Sequence, residues 1–303
     1  MKTKTKQSSM LPNRKVLISF FAFIIFTGGA PVAIRIGYSE MAPFWMGLVR
    51  FGLGAIIFWM LVFFRKQNVP KGRALLGPVF YGVLGLGISF ALMSWGLLKT
   101  SASISSIIQA MVPLMSVLLS AVQGIEPLTI RGILGSLLAV IGTVIIVCGS
   151  PSMGISLPHI AALILGTSFM AQSGIVLKRF PTNPPIVTNA VAISIATIIL
   201  AIASLMTGEP WVIPTLPSTW IALSYLIIFV TIFAFLLYLK VLNNWTASGT
   251  SYGFVITPLV TFVIAAVFTE EQITLNFLIG AFLILGGVLV GVLSPQKKKT
   301  DAG

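Results

Sequence analysis

Residues 101–149 read SASISSIIQAMVPLMSVLLSAVQGIEPLTIRGILGSLLAVIGTVIIVCG, and residues 246–294 read TASGTSYGFVITPLVTFVIAAVFTEEQITLNFLIGAFLILGGVLVGVLS. Superposed without a gap, the two stretches align Pro113 with Pro258 and Glu126 with Glu271. Each stretch is apolar enough to cross a membrane and return. A duplicated apolar segment interrupted by proline is typical of transporters with internal repeats, in which substrate binds near the repeat interface.

The composition indicates that the solvent of this protein is mostly lipid. The chain of 303 residues is 57% hydrophobic and only 8% charged, and its mean hydropathy is +1.04. A soluble domain carries about 25% charged residues. The net charge of +13 lies in short loops and tails, which predicts topology signals and contact with anionic lipids at the cytoplasmic face, and argues against nucleic acid as a partner.

The apolar runs predict an all-α integral membrane protein, because each is long enough for a spanning helix of ~20 residues and none alternates like a barrel strand. The ten predicted spans are 16–36, 43–64, 74–98, 102–122, 128–147, 157–177, 185–206, 217–239, 247–268 and 274–293. They form two five-helix repeats, 16–147 and 157–293, between a basic N-terminal tail, 1–15, and a basic C-terminal tail, 294–303.

The distribution of Lys and Arg predicts the orientation. Most of these residues fall on one side of the predicted spans, so both termini are expected in the cytoplasm of a multi-pass protein of the cell (inner or plasma) membrane. Five spans in each repeat give the two halves opposite polarity, which is an inverted repeat. A homodimer is left open as the oligomeric state.

Three motifs carry a resemblance to a known family. Residues 27–35 read TGGAPVAIR, residues 42–50 read APFWMGLVR, and residues 99–103 read KTSAS ahead of Pro113 and Glu126. In this order and with the duplication, the chain resembles the drug/metabolite transporter superfamily, specifically its ten-helix EamA type. The first motif departs from the family by placing Thr27 where a Trp is usual.

The resemblance implies a membrane carrier for small metabolites, often an exporter. Some members of the superfamily export amino acids, and others export nucleobases or drugs. We therefore expect a secondary transporter for a neutral or zwitterionic compound such as an amino acid, working by alternating access. A channel-like facilitator, an exporter of cationic drugs or nucleobases, and a scaffold without transport activity are the alternatives.

The sequence offers little for catalysis. It has one His, His159, and one Asp, Asp301, and its glutamates lie near predicted span ends. No enzyme activity, cofactor or metal site is therefore predicted. Proton-coupled carriers usually hold a buried carboxylate or His in the pathway. We expect transport down the substrate gradient, or exchange.

Arg50 is the charged residue predicted deepest in a span. We favour a structural role, in which it binds helix-end carbonyls or Glu40, over the alternative of contact with a substrate anion. Pro113 and Pro258 are predicted near the middle of the fourth and ninth spans, where a proline kink can act as a hinge beside a cavity.

The remaining candidates are polar or aromatic residues that the predicted spans place at membrane depth, with helix packing as the alternative role. The predicted substrate-cavity residues are Thr27, Trp95, Ser105, Gln109, Thr167, Gln172, Tyr225, Tyr252 and Thr257, and Thr231 and Tyr238 are further candidates. The glycines Gly135, Gly142, Gly280, Gly286 and Gly287 are predicted to permit close helix packing.

Overall fold

The computed structural model describes residues 12–99, 108–148, 156–269 and 275–293, and within these ranges the regular structure is helical. The helices are α1 (Arg14–Gly37), α2 (Pro43–Phe64), α3 (Arg73–Leu97), α4 (Val112–Val122), α5 (Ile130–Cys148), α6 (Leu157–Leu177), α7 (Pro185–Thr207), α8 (Pro217–Asn244), α9 (Gly253–Thr269) and α10 (Leu275–Val288). A short helix, Ala247–Ser251, precedes α9.

Six of the helices within these ranges, α1, α2, α3, α6, α7 and α8, are long and apolar enough to cross a membrane. Exposed phenylalanines, among them Phe21, Phe63 and Phe64, cover the outer faces of α1 and α2. Since water would penalise such a surface and lipid would not, the exposed side chains fit a multi-pass membrane protein.

Helix starts follow simple local rules. The Asn13 side chain caps α1 by accepting a hydrogen bond of 2.9 Å from the amide of Val16. The helices α2, α7 and α8 each begin with proline, whose fixed φ suits the first turn and whose missing N–H has no helical partner there. At its other end α7 stops at Gly208, which has a left-handed φ of +66°.

The helix α1 is interrupted at Gly29, between the segments Arg14–Gly28 and Ala30–Gly37. Side chains of other helices bind the carbonyls at this interruption. The Tyr225 hydroxyl donates to the carbonyl of Phe26 at 2.9 Å, and the Thr261 hydroxyl donates to that of Gly28 at 2.6 Å. The break is thus compensated by α8 and α9, as a membrane interior requires.

The structure places the interruptions near the two aligned prolines differently from our prediction. A turn at residues 110–111 precedes α4, so Pro113 lies in the first turn of that helix, where proline is tolerated, rather than in mid-helix. On the other copy the turn falls at Tyr252, and α9 runs through position 258. Neither proline is the point at which its helix breaks.

Two long helices contain π-helical segments at equivalent places. In α3 the segment is Tyr81–Ile88, and in α8 it is Leu226–Ala234. Tyr81 and Leu226 are 145 residues apart, as are Ser101 and Thr246 in the duplicated stretch. The π-helix is rare and appears frequently at functional sites, so a matched pair marks α3 and α8 as helices of interest.

Packing joins equivalent helices of the two halves. The helix α2 packs along α7, and α5 packs along α10. In addition, α1 contacts α8 and α9, while α3 contacts α6 and α7. The largest buried cluster contains Phe51 and Phe58 of α2, Ile193 of α7 and Leu239 of α8. This core holds the long helices around the residues described next.

Candidate functional site

Arg50 lies at the junction of α2, α3 and α8 and is only 4% exposed. Its Nε donates a hydrogen bond of 2.8 Å to the hydroxyl of Thr231 in the π-helical segment of α8. The guanidinium carbon lies 5.1 Å from the ring centre of Phe51, 5.8 Å from that of Phe90 and 5.9 Å from that of Phe235. We call these five residues the arginine cage.

Glu40 is not the partner of Arg50, contrary to one part of our prediction. Its carboxylate accepts hydrogen bonds from the hydroxyls of Thr215 and Thr219, at 2.6 Å and 2.5 Å, and from the amide of Leu216. These bonds lower the pKa of Glu40 to about 2. The carboxylate therefore ties the loop after α1 to the start of α8.

The other two carboxylates in the described part of the chain are also engaged elsewhere. Glu209 accepts from the amides of Phe44 and Trp45 at 3.0 Å and 2.7 Å, at the start of α2. Glu126 accepts hydrogen bonds from the amide of Ala247 and the hydroxyl of Ser248. Among residues 12–99, 108–148, 156–269 and 275–293, the Arg50 charge is thus held by a hydroxyl and three rings without a carboxylate.

Two predicted cavity residues from different helices meet. The hydroxyls of Thr27 in α1 and Thr257 in α9 lie 3.2 Å apart. Each also donates within its own helix, Thr27 to the carbonyl of Phe23 and Thr257 to that of Gly253, both bonds close to 2.9 Å. Together with Tyr225, which binds the α1 interruption, they place three predicted residues where α1, α8 and α9 meet.

Tyr252 has a packing environment instead. It is 1% exposed, and its hydroxyl lies 3.1 Å from the Ser136 hydroxyl and 3.2 Å from the carbonyl oxygen of Gly132. The same hydroxyl also fills the space beside Gly291. These contacts place Tyr252 between α5 and the π-helical segment Leu289–Leu293 that follows α10, so we assign it to helix packing in this structure.

Gln172 and Trp95 each have a specific partner. Gln172 pairs with Gln123 through two amide hydrogen bonds of 2.7 Å and 3.2 Å, which link α6 to the end of α4. The Trp95 ring stacks on His159 with centres 4.2 Å apart and planes inclined by 16°. The His159 Nδ1 in turn lies 2.7 Å from the hydroxyl of Ser156.

The structure gives different kinds of information on the other polar residues. Thr167 is fully buried, and its hydroxyl has no hydrogen-bond partner within the part of the chain that the structure describes. Asn189 of α7, which the sequence analysis did not single out, is likewise buried, with both amide atoms in the same state. Gln109 is half-buried, and Ser105 lies outside the described residues.

Three chain segments are tied together at the end of the bundle that carries Glu126. Its carboxylate accepts from the Ala247 amide at 2.6 Å and from the Ser248 hydroxyl at 2.6 Å. The ammonium of Lys178 donates to the carbonyl of Trp245. Burial lowers the pKa of Lys178, and the charge of Glu126 offsets part of that effect. We call Glu126, Lys178, Trp245, Ala247 and Ser248 the loop cluster.

A bundle of apolar helices with lipid-type outer faces and bonded loop ends fits a multi-pass membrane protein. The comparison with protein families identifies its class as a transporter. The model of the EamA-like transporter family matches this chain twice, at residues 14–148 and 153–293. The chain therefore belongs to the EamA-like transporter family, and the resemblance stated from its motifs is confirmed.

Individual relatives agree with this assignment. The chain is 27% identical over 296 residues to the "Uncharacterized transporter YyaM" of Bacillus subtilis, covering 94% of this chain and 96% of the relative. It is 28% identical over 242 residues to the "Uncharacterized inner membrane transporter YedA" of Escherichia coli, covering 78% of each. A solved crystal structure of a protein is similar in fold, with a TM-score of 0.77 and 19% identity, covering 92% of this chain and 96% of the other.

Proposed function

We propose that this protein is a secondary transporter that moves a small zwitterionic or neutral metabolite, such as an amino acid, by alternating access. Its ten spans form two inverted five-helix repeats, and its direction in the cell is export. The observation that carries this proposal is the packing of α5 against α10. Inverted repeats related by an axis in the membrane plane are the usual architecture of such carriers.

The contacts between α5 and α10 are symmetric with respect to the two halves of the chain. A Cβ at Gly135 would lie 2.5 Å from the carbonyl oxygen of Gly287, and a Cβ at Gly142 would lie 2.6 Å from that of Gly280. In the duplicated sequence, Gly135 aligns with Gly280 and Gly142 with Gly287. Exchanging the two copies therefore converts one contact into the other.

The order of these contacts also gives the relative direction of the helices. Going up α5 from Gly135 to Gly142, the partner residue goes down α10 from Gly287 to Gly280. The two helices are therefore antiparallel. Equivalent helices that cross in opposite directions support repeats of opposite polarity, and the double match of the family model supports the division into two halves.

The loop cluster supports the mechanism. It joins the loop between α4 and α5, the end of α6 and the segment between α8 and α9. Access from this end requires these bonds to separate, since they hold three segments of the bundle together. The bonds are few and polar, so water can replace them when the end opens. Alternation then needs rearrangement of one bundle relative to the other around a fixed site.

Counterflow in proteoliposomes tests the proposal. Purified protein is reconstituted, the vesicles are loaded with a mixture of unlabelled amino acids, and entry of each labelled amino acid is followed. A carrier concentrates the labelled compound transiently above its outside level, because outward movement of the unlabelled compound drives it. Protein-free vesicles are the control. A channel equilibrates the label without overshoot, and entry of no amino acid would overturn the proposed substrate class.

A further inference from the structure

The arginine cage places a single charged side chain between equivalent helices of the two halves. We infer that the Arg50 guanidinium is the subsite that binds a carboxylate group of the transported molecule, with Thr231 as its positioning residue. This inference rests on the proposed function and deepens it by naming the chemical group that the carrier recognises.

The arginine cage lies between equivalent positions of the two halves. Phe90 and Phe235, whose ring centres lie 5.8 Å and 5.9 Å from the guanidinium carbon, are separated by the same 145 residues as the aligned copies, so they are equivalent positions of the two halves. Their ring centres are 6.5 Å apart. Substrates of carriers with inverted repeats bind at such an interface.

Arg50 breaks the symmetry between the two halves. Counted from the prolines that begin α2 and α7, Pro43 and Pro185, the equivalent position in the second half is the apolar Ala192, so the charge has no counterpart there. A single fixed cation at a symmetric interface gives a bound molecule a defined charged end. Aromatic faces tolerate a guanidinium and stabilise it by about 0.5–2 kcal/mol per favourable ring, but they do not neutralise its charge.

The guanidinium of Arg50 has more hydrogen-bond donors than Thr231 uses. Thr231 takes the Nε–H, and this is the one hydrogen bond of the guanidinium recorded within the described ranges. Among the same residues the carboxylates bind backbone amides and hydroxyls at other places. The two terminal amino groups present the parallel donors that bind a carboxylate in bidentate fashion. A charge buried to this degree is costly unless it is paired, and a substrate anion would pair it.

The backbone around the arginine cage is irregular. Thr231 lies within the π-helical segment of α8, Phe235 follows that segment directly, and Phe90 is the second residue after the π-helical segment of α3. π-helical segments are rare and frequently lie at functional sites. The cage is thus attached to the two matched parts of α3 and α8 whose backbone is irregular.

The experiment compares a substrate with and without its carboxylate. In the counterflow assay, each amino acid that the wild type exchanges is compared with its amide, which keeps the ammonium and side chain. We expect the wild type to exchange the amide at least about 30-fold less effectively, as for loss of one partner of a buried charge pair. In Arg50→Gln, exchange of the amino acid should fall by about that factor and the amide should change little, so discrimination disappears.

Arg50→Lys separates charge from geometry and should retain part of the discrimination, because an ammonium binds a carboxylate without the bidentate fork. Arg35→Gln is the matched control, since Arg35 is exposed at the end of α1, and it should leave both rates unchanged. If Arg50→Gln does not fold, Thr231→Val keeps the charge and removes its anchor. It should reduce discrimination severalfold while the protein elutes as a single species.

Two results would overturn the inference. One is equal exchange of amino acid and amide by the wild type, and the other is a parallel loss of both compounds in Arg50→Gln, which is what a purely structural arginine gives. Either leaves the proposed transport function standing, because exchange itself is observed in the wild type. Absence of any amino-acid exchange by folded wild-type protein would instead overturn the substrate class of the proposed function.

Discussion

Gly135 and Gly287 contact each other backbone to backbone in a reciprocal way: a Cβ on either one would lie 2.5 Å from the carbonyl oxygen of the other. No real Cβ approaches an oxygen so closely, so α5 and α10 can be this near only because both residues are glycine. Small residues at such crossings allow the close van der Waals contact that drives helix association in lipid. The adjacent Gly286 has open space around its Cα and makes no such demand.

Substitution of these glycines should therefore have opposite consequences one residue apart. Gly287→Ala forces α10 away from α5 and is expected to lower stability by about 1–3 kcal/mol, the usual cost of overpacking. Gly286→Ala should be neutral or stabilising, because alanine is the better helix former by about 1 kcal/mol. Thermal unfolding of both variants in detergent is the measurement, and equal melting temperatures would contradict the close packing described here.

The interruption of α1 offers a second prediction. In Tyr225→Phe, the carbonyl of Phe26 at the interruption of α1 loses its 2.9 Å side-chain donor. An unsatisfied buried carbonyl costs about 1–3 kcal/mol, so the variant should melt at a lower temperature. Ser168→Ala removes an exposed hydroxyl that binds only its own helix and should leave the melting temperature unchanged. A Tyr225→Phe variant as stable as the wild type would mean that water reaches this carbonyl.

The pair formed by Gln123 and Gln172 gives a prediction about motion. In a background with Cys148→Ser, the double variant Gln123→Cys and Gln172→Cys places two facing thiols across the gap that the paired amides now fill. A short bifunctional thiol reagent should join α4 to α6 and stop counterflow, and cleavage of a reducible reagent should restore it. Each single variant treated in the same way is the control. Undiminished counterflow after complete cross-linking would show that α4 and α6 need not separate at this pair during transport.

Much of the fold could be predicted from the sequence because the signals are local and strong. Long apolar runs bounded by proline and glycine predict spanning helices, and α2, α6 and α7 begin at the predicted residues, 43, 157 and 185. The duplicated stretch predicted related halves, and the glycine contacts between α5 and α10 fit that prediction. These features depend on composition and spacing, which the chain displays directly.

The candidate site was less accessible to the same reasoning, because it depends on which side chains meet. The sequence offered Glu40 as one possible partner for Arg50, but hydroxyls and amides of residues 215–219, distant in sequence, bind Glu40 instead. The cage rings Phe90 and Phe235 look like any lipid-facing phenylalanine in an apolar run. Their shared spacing of 145 residues was the one signal that could have singled them out.

The carboxylate of Glu40 gives a prediction about pH. Hydrogen bonds from Thr215 and Thr219 lower its pKa from 4.5 to about 2, so the folded state binds the proton less well than the unfolded state. By linkage, the stabilisation is fully present above pH 4.5 and is lost as the pH falls toward 2. Melting temperatures of wild type and Glu40→Gln should therefore differ most at neutral pH and converge in acid. Ser39→Ala, a change at the exposed neighbouring residue, should keep the pH profile of the wild type. A difference between wild type and Glu40→Gln that stays constant down to about pH 2 would mean that these hydrogen bonds do not form in solution.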